Sequence, residues 1–270
     1  MSYKLEKLKE LFKIKDFYDV QKEIILSILN KRNTIAILPT GGGKSICFQI
    51  PALIFEGLTI VVSPLISLIK EQVENLKKRY GILECDYISS DRSKEEIENI
   101  LKFLSNLKIL YVTPERLSSK KFLQNIPSKI SMLTIDEAHC ISMWGNSFRK
   151  SYLQIVKFIK KVKIGVISAF TATANEKIIN NIIFHLDIKN PAIFKKPAYR
   201  ENLKIRINFC ANKIKVLESL INPNESSMIF TSSIATAKNL HEFLKNKGLN
   251  SNVFYSTMEN MKKKKIKMNF

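Results

Sequence analysis

The chain has 270 residues, 45% of them hydrophobic, which is enough for one large or two smaller domains and argues against a disordered chain. Its formal net charge of +20 favours a polyanionic partner, nucleic acid before an anionic membrane surface, although a lysine-rich genome would produce part of the same excess. The 4 cysteines form no CxxC pair and the 3 histidines make no cluster with them, so neither a zinc site nor a disulfide framework is indicated, and a reducing cytosol fits. No apolar run reaches the roughly 18 residues of a membrane span, and residues 3–15 have a charged amphipathic pattern rather than that of a signal peptide.

The first predicted elements lead to a glycine-rich loop. Apolar spacing predicts helices over residues 4–13 and 22–29, followed by a buried parallel strand over 34–38. The next residues stand between that strand and a helix, which is the context of a phosphate-binding loop. They are Pro39, Thr40, Gly41, Gly42, Gly43, Lys44 and Ser45.

This loop is predicted to bind a nucleotide through residues 40–45. Glycines let backbone N–H groups approach a phosphate without Cβ clashes, and a helix N-terminus adds partial positive charge. Lys44 is placed to reach the β- and γ-phosphates, and Ser45 to hold Mg²⁺. Leu38 stands where the strict motif has glycine, so an ordinary glycine-rich turn is the alternative. Ahead of the loop, the amide of Gln21 offers a donor and an acceptor that match adenine, with a surface glutamine as the alternative.

Two later strands end in a hydroxyl residue followed by proline. Apolar runs predict a strand over 58–64 and a second one from Ile109 to Thr113, with helices over 65–78 and 93–105, the latter as the crossover between the two strands. In an open α/β sheet the carboxyl ends of the strands face the ligand crevice. Ser63 and Thr113 are therefore predicted to contact the phosphates of a nucleic-acid strand.

The strand predicted over 132–135 ends in a second chemical centre. Asp136 is predicted to bind Mg²⁺, and Glu137 to orient or deprotonate the attacking water, so that these two residues and Lys44 are the predicted catalytic set. His139 is predicted to couple this centre to the segment that follows. A surface turn carrying two acids is the alternative, which the phosphate-binding loop upstream makes the weaker interpretation.

Aromatic and hydroxyl side chains follow the acidic pair. Trp144 and Phe148 beside Arg149 suit stacking on single-stranded bases, and ordinary core packing is the alternative. A strand predicted over 165–174 ends in Thr171 and Thr173, which could relay between the γ-phosphate and the nucleic acid. Threonine is also simply common in strands, which is the alternative there.

The periodicity lapses after the first 190 residues, where Pro191 and Pro197 interrupt it. We predict a first domain over 1–190, a linker over 191–204, and a second run of β-α units over 205–270. The second run has predicted strands over 205–209, 227–232 and 252–255, and predicted helices over 213–221, 235–247 and 258–269. The lysine run 262–265 indicates a solvated helix face, with contacts to a nucleic-acid backbone as the alternative.

Five stretches of the chain resemble the motifs of the RecQ family of superfamily 2 DNA helicases, whose Asp-Glu-Ala-His box is at 136–139. The stretches are 39–52, 61–73, 111–117, 136–142 and 171–174. The resemblance covers essentially the whole chain. It implies an α/β fold with a RecA-like parallel sheet flanked by helices on both faces, as in P-loop NTPases, followed by a partial second RecA-like domain. It also implies ATP and Mg²⁺ as cofactors, bound between the two domains.

The same resemblance implies a DNA helicase that acts on single-stranded and duplex DNA in recombination and repair, with translocation from 3′ to 5′. It assigns Gln21 to adenine, and residues 144–149 to an aromatic-rich loop that couples DNA contact to ATP hydrolysis. The expected location is cytoplasmic, associated with the nucleoid in a bacterium or nuclear in a eukaryote, with no membrane partner.

The chain also departs from the family pattern. Tyr18 stands where arginine is usual, and the aromatic-rich loop has Met143, Asn146 and Ser147 in place of Gln, His and Asp. The last two helicase motifs, with the arginine that reaches the γ-phosphate, would lie beyond Phe270. We therefore expect a truncated helicase core with impaired unwinding. The alternatives are a non-catalytic protein that binds nucleotide and nucleic acid, and one half of a split helicase whose partner chain supplies the missing motifs.

Overall fold

The structure, a computed structural model, describes residues 2–143, 146–197, 202–255, 257–258 and 266, with the backbone alone over 2–5, 142–143 and 146–152. It divides into two compact units, residues 1–200 and 201–270. The predicted helix over 258–269, with its lysine run, lies almost entirely outside the described residues. In the part of the chain that is described, no helix is long and apolar enough to cross a membrane.

The first unit is built on a parallel sheet. Its seven strands, counted over the described residues, are β1 (Thr34–Ile37), β2 (Thr59–Val62), β3 (Cys85–Ile88), β4 (Ile109–Val112), β5 (Lys129–Ile135), β6 (Lys163–Thr171) and β7 (Ala192–Lys195). They run in the order β3-β4-β2-β5-β6-β1-β7, and each pairing is parallel. The predicted parallel α/β fold is confirmed. Because β5, β6 and β1 are consecutive in the sheet, the segments that follow them lie at one edge.

Helices cover both faces of the sheet. In chain order they are α1 (Ser2–Leu11), α2 (Asp19–Leu29), α3 (Lys44–Ile54), α4 (Ile66–Glu74, extended by a π-helical turn over Asn75–Arg79), α5 (Lys94–Lys102), α6 (Lys120–Asn125), α7 (Cys140–Met143), α8 (Asn146–Lys161) and α9 (Glu176–Leu186). The buried side chains fall into two clusters because neighbouring strand residues point to opposite faces: Ile35 and Ile37 belong to one cluster, Ala36 and Leu38 to the other. Helices α2, α3 and α4 pack on the second face, and α5, α8 and α9 on the first.

Two predictions for this unit need correction. The linker predicted over 191–204 begins with β7, which pairs with β1, so the first domain extends past residue 190. Strand β3 was not predicted, and α5 is therefore the crossover from β3 to β4 rather than from β2 to β4. Both missed strands are short edge strands. An edge strand pairs on one side only and can carry polar residues, so its hydrophobic pattern is weak.

The second unit departs further from expectation. It contains two predicted helices, α10 (Lys213–Leu220) and α11 (Ile234–Asn246). None of its described residues lies in a strand, although strands were predicted over 205–209, 227–232 and 252–255. Those predictions are wrong for this structure because an extended segment becomes a strand only when a neighbour receives its hydrogen bonds. The apolar side chains of these segments stay exposed, including Ile205, Phe209 and Phe230.

Candidate nucleotide-binding site

The glycine-rich loop joins β1 to α3, and α3 begins at Lys44. Gly43 precedes the helix with φ +74°, a left-handed conformation that favours glycine. A Cβ on Gly42 would lie 2.8 Å from the Pro39 carbonyl oxygen. The glycines therefore allow the loop backbone to lie beside the first N–H groups of α3. This is the arrangement that binds phosphate.

Gln21, on α2, forms a hydrogen bond with this loop. Its Oε1 accepts the Tyr18 backbone N–H at 3.0 Å, and its Nε2 donates to the Gly42 carbonyl at 3.0 Å. The side chain is buried, so it is not a surface glutamine. A primary amide has two donors and two lone pairs, so one of each remains for adenine. The predicted adenine contact is compatible with this geometry and stays a prediction.

Asp136 follows β5 at the same edge of the sheet and is 8% exposed. Its Oδ1 accepts the Glu137 backbone N–H at 3.0 Å. Burial, and then the Glu137 carboxylate, raise the pKa of Asp136 to about 6, while the Lys44 ammonium acts in the opposite direction. Among the described side chains Asp136 has no ion-pair partner. A buried carboxylate without an ion-pair partner at contact distance is a site that a cation would stabilise.

The donor set here fits Mg²⁺. Mg²⁺ prefers hard oxygen ligands and usually takes one or two from the protein, with water and substrate phosphates completing the shell. Ser45 offers a hydroxyl and Asp136 a carboxylate. The residues that the structure describes contain no cluster of three or more His, Cys, Asp or Glu side chains that could hold a metal alone.

Glu137 is held by His139. The two side chains approach to 3.2 Å between Oε2 and Nδ1, and Glu137 has a φ of +50°, which is unusual for a residue with a side chain. The hydrogen bond from His139 lowers the pKa of Glu137. The Cys140 sulfur, 3.7 Å from Nε2, and the Glu137 carboxylate raise the pKa of His139 to about 10. At neutral pH the pair is therefore a carboxylate beside an imidazolium.

The threonines after β6 continue this network. His139 Nδ1 lies 2.9 Å from Thr171 Oγ1, which accepts the Thr173 N–H at 3.3 Å and donates to the Thr173 carbonyl at 3.1 Å. The structure thus brings Glu137, His139, Thr171 and Thr173 into one chain of contacts. This is the connection that a relay from the acidic centre would need, and the relay itself stays a prediction.

Ser63 and Thr113 end the adjacent strands β2 and β4, as predicted, but both are buried. The Ser63 backbone N–H donates to the Val112 carbonyl at 3.1 Å, and its hydroxyl has no hydrogen-bond partner among the described atoms. The contact of these two residues with the phosphates of a nucleic-acid strand stays a prediction.

The structure describes no side chain of the aromatic-rich segment, residues 144–149. Trp144 lies outside the described residues, and only the backbone of Phe148 and Arg149 is described, within α8. Helix α8 itself was not predicted. The stacking role assigned to these three residues stays a prediction.

Sequence reasoning missed a polar chain behind the loop. Gln72 on α4 donates to Ser45 Oγ, and Gln49 on α3 lies between Gln72 and Tyr111 on β4. The available signal was a glutamine at Gln49 inside an otherwise apolar helical run, because a polar residue at a core position needs a partner.

A parallel sheet with a phosphate-binding loop after β1 and an acidic pair after β5 defines a RecA-like P-loop NTPase domain. The family profile described as DEAD/DEAH box helicase matches residues 18–182. An ATP-dependent DNA helicase RecQ of Haemophilus influenzae is 35% identical over 98% of this chain and 44% of its own length. The Bacillus subtilis protein of the same name is 40% identical over 88% of this chain and 41% of its own length. The structure of Mycobacterium smegmatis helicase Lhr bound to ssDNA and AMP-PNP matches with a TM-score of 0.65, 17% identity, and coverage of 97% of this chain and 39% of that chain.

The chain belongs to the DEAD/DEAH box helicase family. Within that family its relatives are RecQ helicases, so the resemblance found in the motifs is confirmed. The chain spans less than half the length of these two relatives. The likeness to the Lhr structure concerns the fold alone.

Proposed function

We propose that this chain binds Mg²⁺-ATP at the loop of residues 40–45 and hydrolyses it as the motor part of a RecQ-type DNA helicase. One observation carries the proposal: the loop after β1 and the acidic pair after β5 lie at the same edge of the sheet, where the Lys44 ammonium favours the ionised form of both carboxyls, although burial and Glu137 still raise the pKa of Asp136 to about 6. The phosphate-binding loop and the acidic pair are therefore one electrostatic site. DNA, single-stranded and duplex, is the proposed substrate, with movement from 3′ to 5′.

The residues divide the chemistry among them. Lys44 and the N–H groups at the start of α3 neutralise phosphate charge, which is the main requirement of phosphoryl transfer. Ser45 and Asp136 would hold Mg²⁺, which supplies further positive charge to the phosphate oxygens. Glu137 is ionised at neutral pH and accepts a hydrogen bond from the attacking water, while His139 fixes the direction of its carboxylate.

Coupling to DNA would run through the threonines. Thr171 contacts His139, and Thr173 contacts Thr171, so a displacement of the segment after β6 changes the position of the histidine that holds Glu137. The formal net charge of the whole chain, +20, favours a polyanionic partner. Binding of nucleotide and DNA alone does not require an ionised carboxylate held in one orientation. The geometry of Glu137 therefore favours hydrolysis over binding alone.

The test is ATP hydrolysis by the purified chain with and without single-stranded DNA. We expect hydrolysis that is stimulated by DNA and abolished in Lys44→Ala, with Lys157→Ala, an exposed lysine of α8, as the matched control. Hydrolysis that survives Lys44→Ala would refute the site. ATP binding that needs Lys44 but yields no hydrolysis would favour the binding protein instead.

A further inference from the structure

A chain of side-chain hydrogen bonds runs behind the nucleotide-binding loop. The Gln72 Nε2 donates to Ser45 Oγ at 2.7 Å, and the Gln72 Oε1 accepts from Gln49 Nε2 at 2.7 Å. Gln49 Nε2 also donates to the Tyr111 hydroxyl at 2.9 Å. The chain connects α4, α3 and β4, and it ends at the hydroxyl that the proposed function assigns to Mg²⁺.

These polar groups stand in an apolar environment. Gln49 is 4% exposed and Tyr111 is 1% exposed, and the surrounding residues form the core on this face of the sheet. A buried amide is costly unless its donors and acceptors are paired, so the network holds its members in one arrangement. Burial raises the pKa of the Tyr111 hydroxyl, which therefore keeps its proton and remains a fixed end of the chain.

The hydrogen bond from Gln72 fixes the orientation of the Ser45 hydroxyl. A serine hydroxyl has one donor and two lone pairs, and it rotates freely unless a neighbour fixes it. The Gln72 N–H occupies one lone pair. One lone pair remains for a metal ion, and the O–H remains free to donate. Fixing the rotation in advance removes an ordering cost from metal binding, as outer partners of metal ligands do elsewhere.

We infer that Gln72 is a positioning residue for the Mg²⁺ ligand Ser45, and that Gln49 and Tyr111 anchor it to β4. This inference rests on the proposed function, because it assigns the Ser45 hydroxyl to Mg²⁺. Gln72 lies on the helix that follows the Ser63-Pro64 turn, and Tyr111 lies on the strand that ends at Thr113-Pro114. The first of these segments is joined to the metal ligand by the Gln72–Ser45 hydrogen bond, and the second is joined to it through Gln49 and Gln72.

The experiment measures the binding of a fluorescent, slowly hydrolysed ATP analogue to the full chain, in saturating Mg²⁺ and in EDTA. The readout is the ratio of the Kd in EDTA to the Kd in Mg²⁺, which isolates the metal's contribution. In Gln72→Met, which keeps the length of the side chain but has no amide, we expect this ratio to fall by about tenfold, while the Kd in EDTA changes by less than about twofold. Glu71→Ala, an exposed neighbour on α4, should leave both values unchanged.

A double-mutant cycle sharpens the test. If Gln72 acts through the Ser45 hydroxyl, Gln72→Met should have no further effect on the ratio in a Ser45→Ala background. Thermal unfolding of each variant verifies that it is folded. Gln72→Ala provides a second substitution that removes the amide.

The outcomes are distinguishable. If the wild-type chain binds the analogue with no dependence on Mg²⁺ or Lys44, the proposed function fails and this inference fails with it. If wild-type binding depends on both but the ratio in Gln72→Met stays within twofold of wild type, the inference alone is wrong. Equal loss of affinity in EDTA and in Mg²⁺ would also overturn it, because that pattern indicates a structural role.

Discussion

The two units of this chain have similar sequence patterns but reach different states. In the first unit, short apolar runs such as β2 and β4 are paired on both sides and buried. In the second unit, similar runs over 205–209 and 227–231 lie outside any helix or strand, and Phe209 is 98% exposed. Only Leu244, among the described hydrophobic residues of the second unit, is buried. An apolar run therefore becomes a strand where neighbouring strands and covering helices are present, and it remains an exposed segment where they are not.

The test with the largest expected effect is hydrogen–deuterium exchange on the full chain. Amides in β1, β2, β4, β5 and β6 should open only with the global unfolding of the first unit, so we expect protection by roughly 10⁴-fold or more. Amides over 205–209 and 227–231 should exchange within about tenfold of an unfolded peptide. Strong protection of these two segments would mean that they are paired in solution.

The catalytic prediction concerns Glu137. Glu137→Gln removes the carboxylate that accepts the hydrogen bond from water, so steady-state ATP hydrolysis should fall by roughly 10²- to 10⁴-fold, while nucleotide binding is retained. Glu176→Gln, an exposed acid at the start of α9, is the control and should hydrolyse ATP as wild type does. A loss of less than tenfold in Glu137→Gln would remove Glu137 from the mechanism.

Core packing can be compared with matched substitutions in the two units. Ile60 on β2 is fully buried and Ile207 is 78% exposed. Ile60→Ala should lower the free energy of unfolding by about 2–5 kcal/mol, because it leaves a cavity in the core. Ile207→Ala should change it by no more than about 0.5 kcal/mol. Both are measured by urea denaturation, and similar costs at the two positions would contradict the observed difference in burial.

The smallest expected effect is a dependence of Mg²⁺-nucleotide binding on pH. The pKa of Asp136 is raised to about 6, so below that pH the carboxyl is protonated and Mg²⁺ must displace the proton. Affinity in Mg²⁺ should therefore rise with pH through about 6 and fall by about fivefold from pH 6 to pH 5. Binding in EDTA should lack this step, and so should Asp136→Asn. A wild-type profile that is flat from pH 5 to pH 7 would be inconsistent with the assignment of Asp136 to the metal.

Much of the first unit was predictable because its signals are local. The loop over 40–45 follows a strand and opens a helix, and the motif specifies both the turn and its chemistry. Strands β1, β2, β4, β5 and β6 were predicted because their apolar residues are continuous, as buried parallel strands require. The strands β3 and β7 were missed because they lie at the edges of the sheet and carry polar or exposed residues, so that their hydrophobic pattern is weaker. Helix α8 was not predicted, because the aromatic and basic residues at its start were interpreted as a nucleic-acid contact.

The candidate site was predictable as a list of residues but not as a set of contacts. Sequence alone determined the phosphate-binding loop, the acidic pair and the helicase family, because each depends on residue types at fixed local spacing. Only the tertiary structure decided that His139 meets Thr171, that Ser63 and Thr113 are buried, and that Gln72 holds Ser45. These contacts join residues far apart in the chain, and they exist because parallel pairing of β5 and β6, and the packing of α3 and α4 on one face, bring distant segments to the same edge of the sheet.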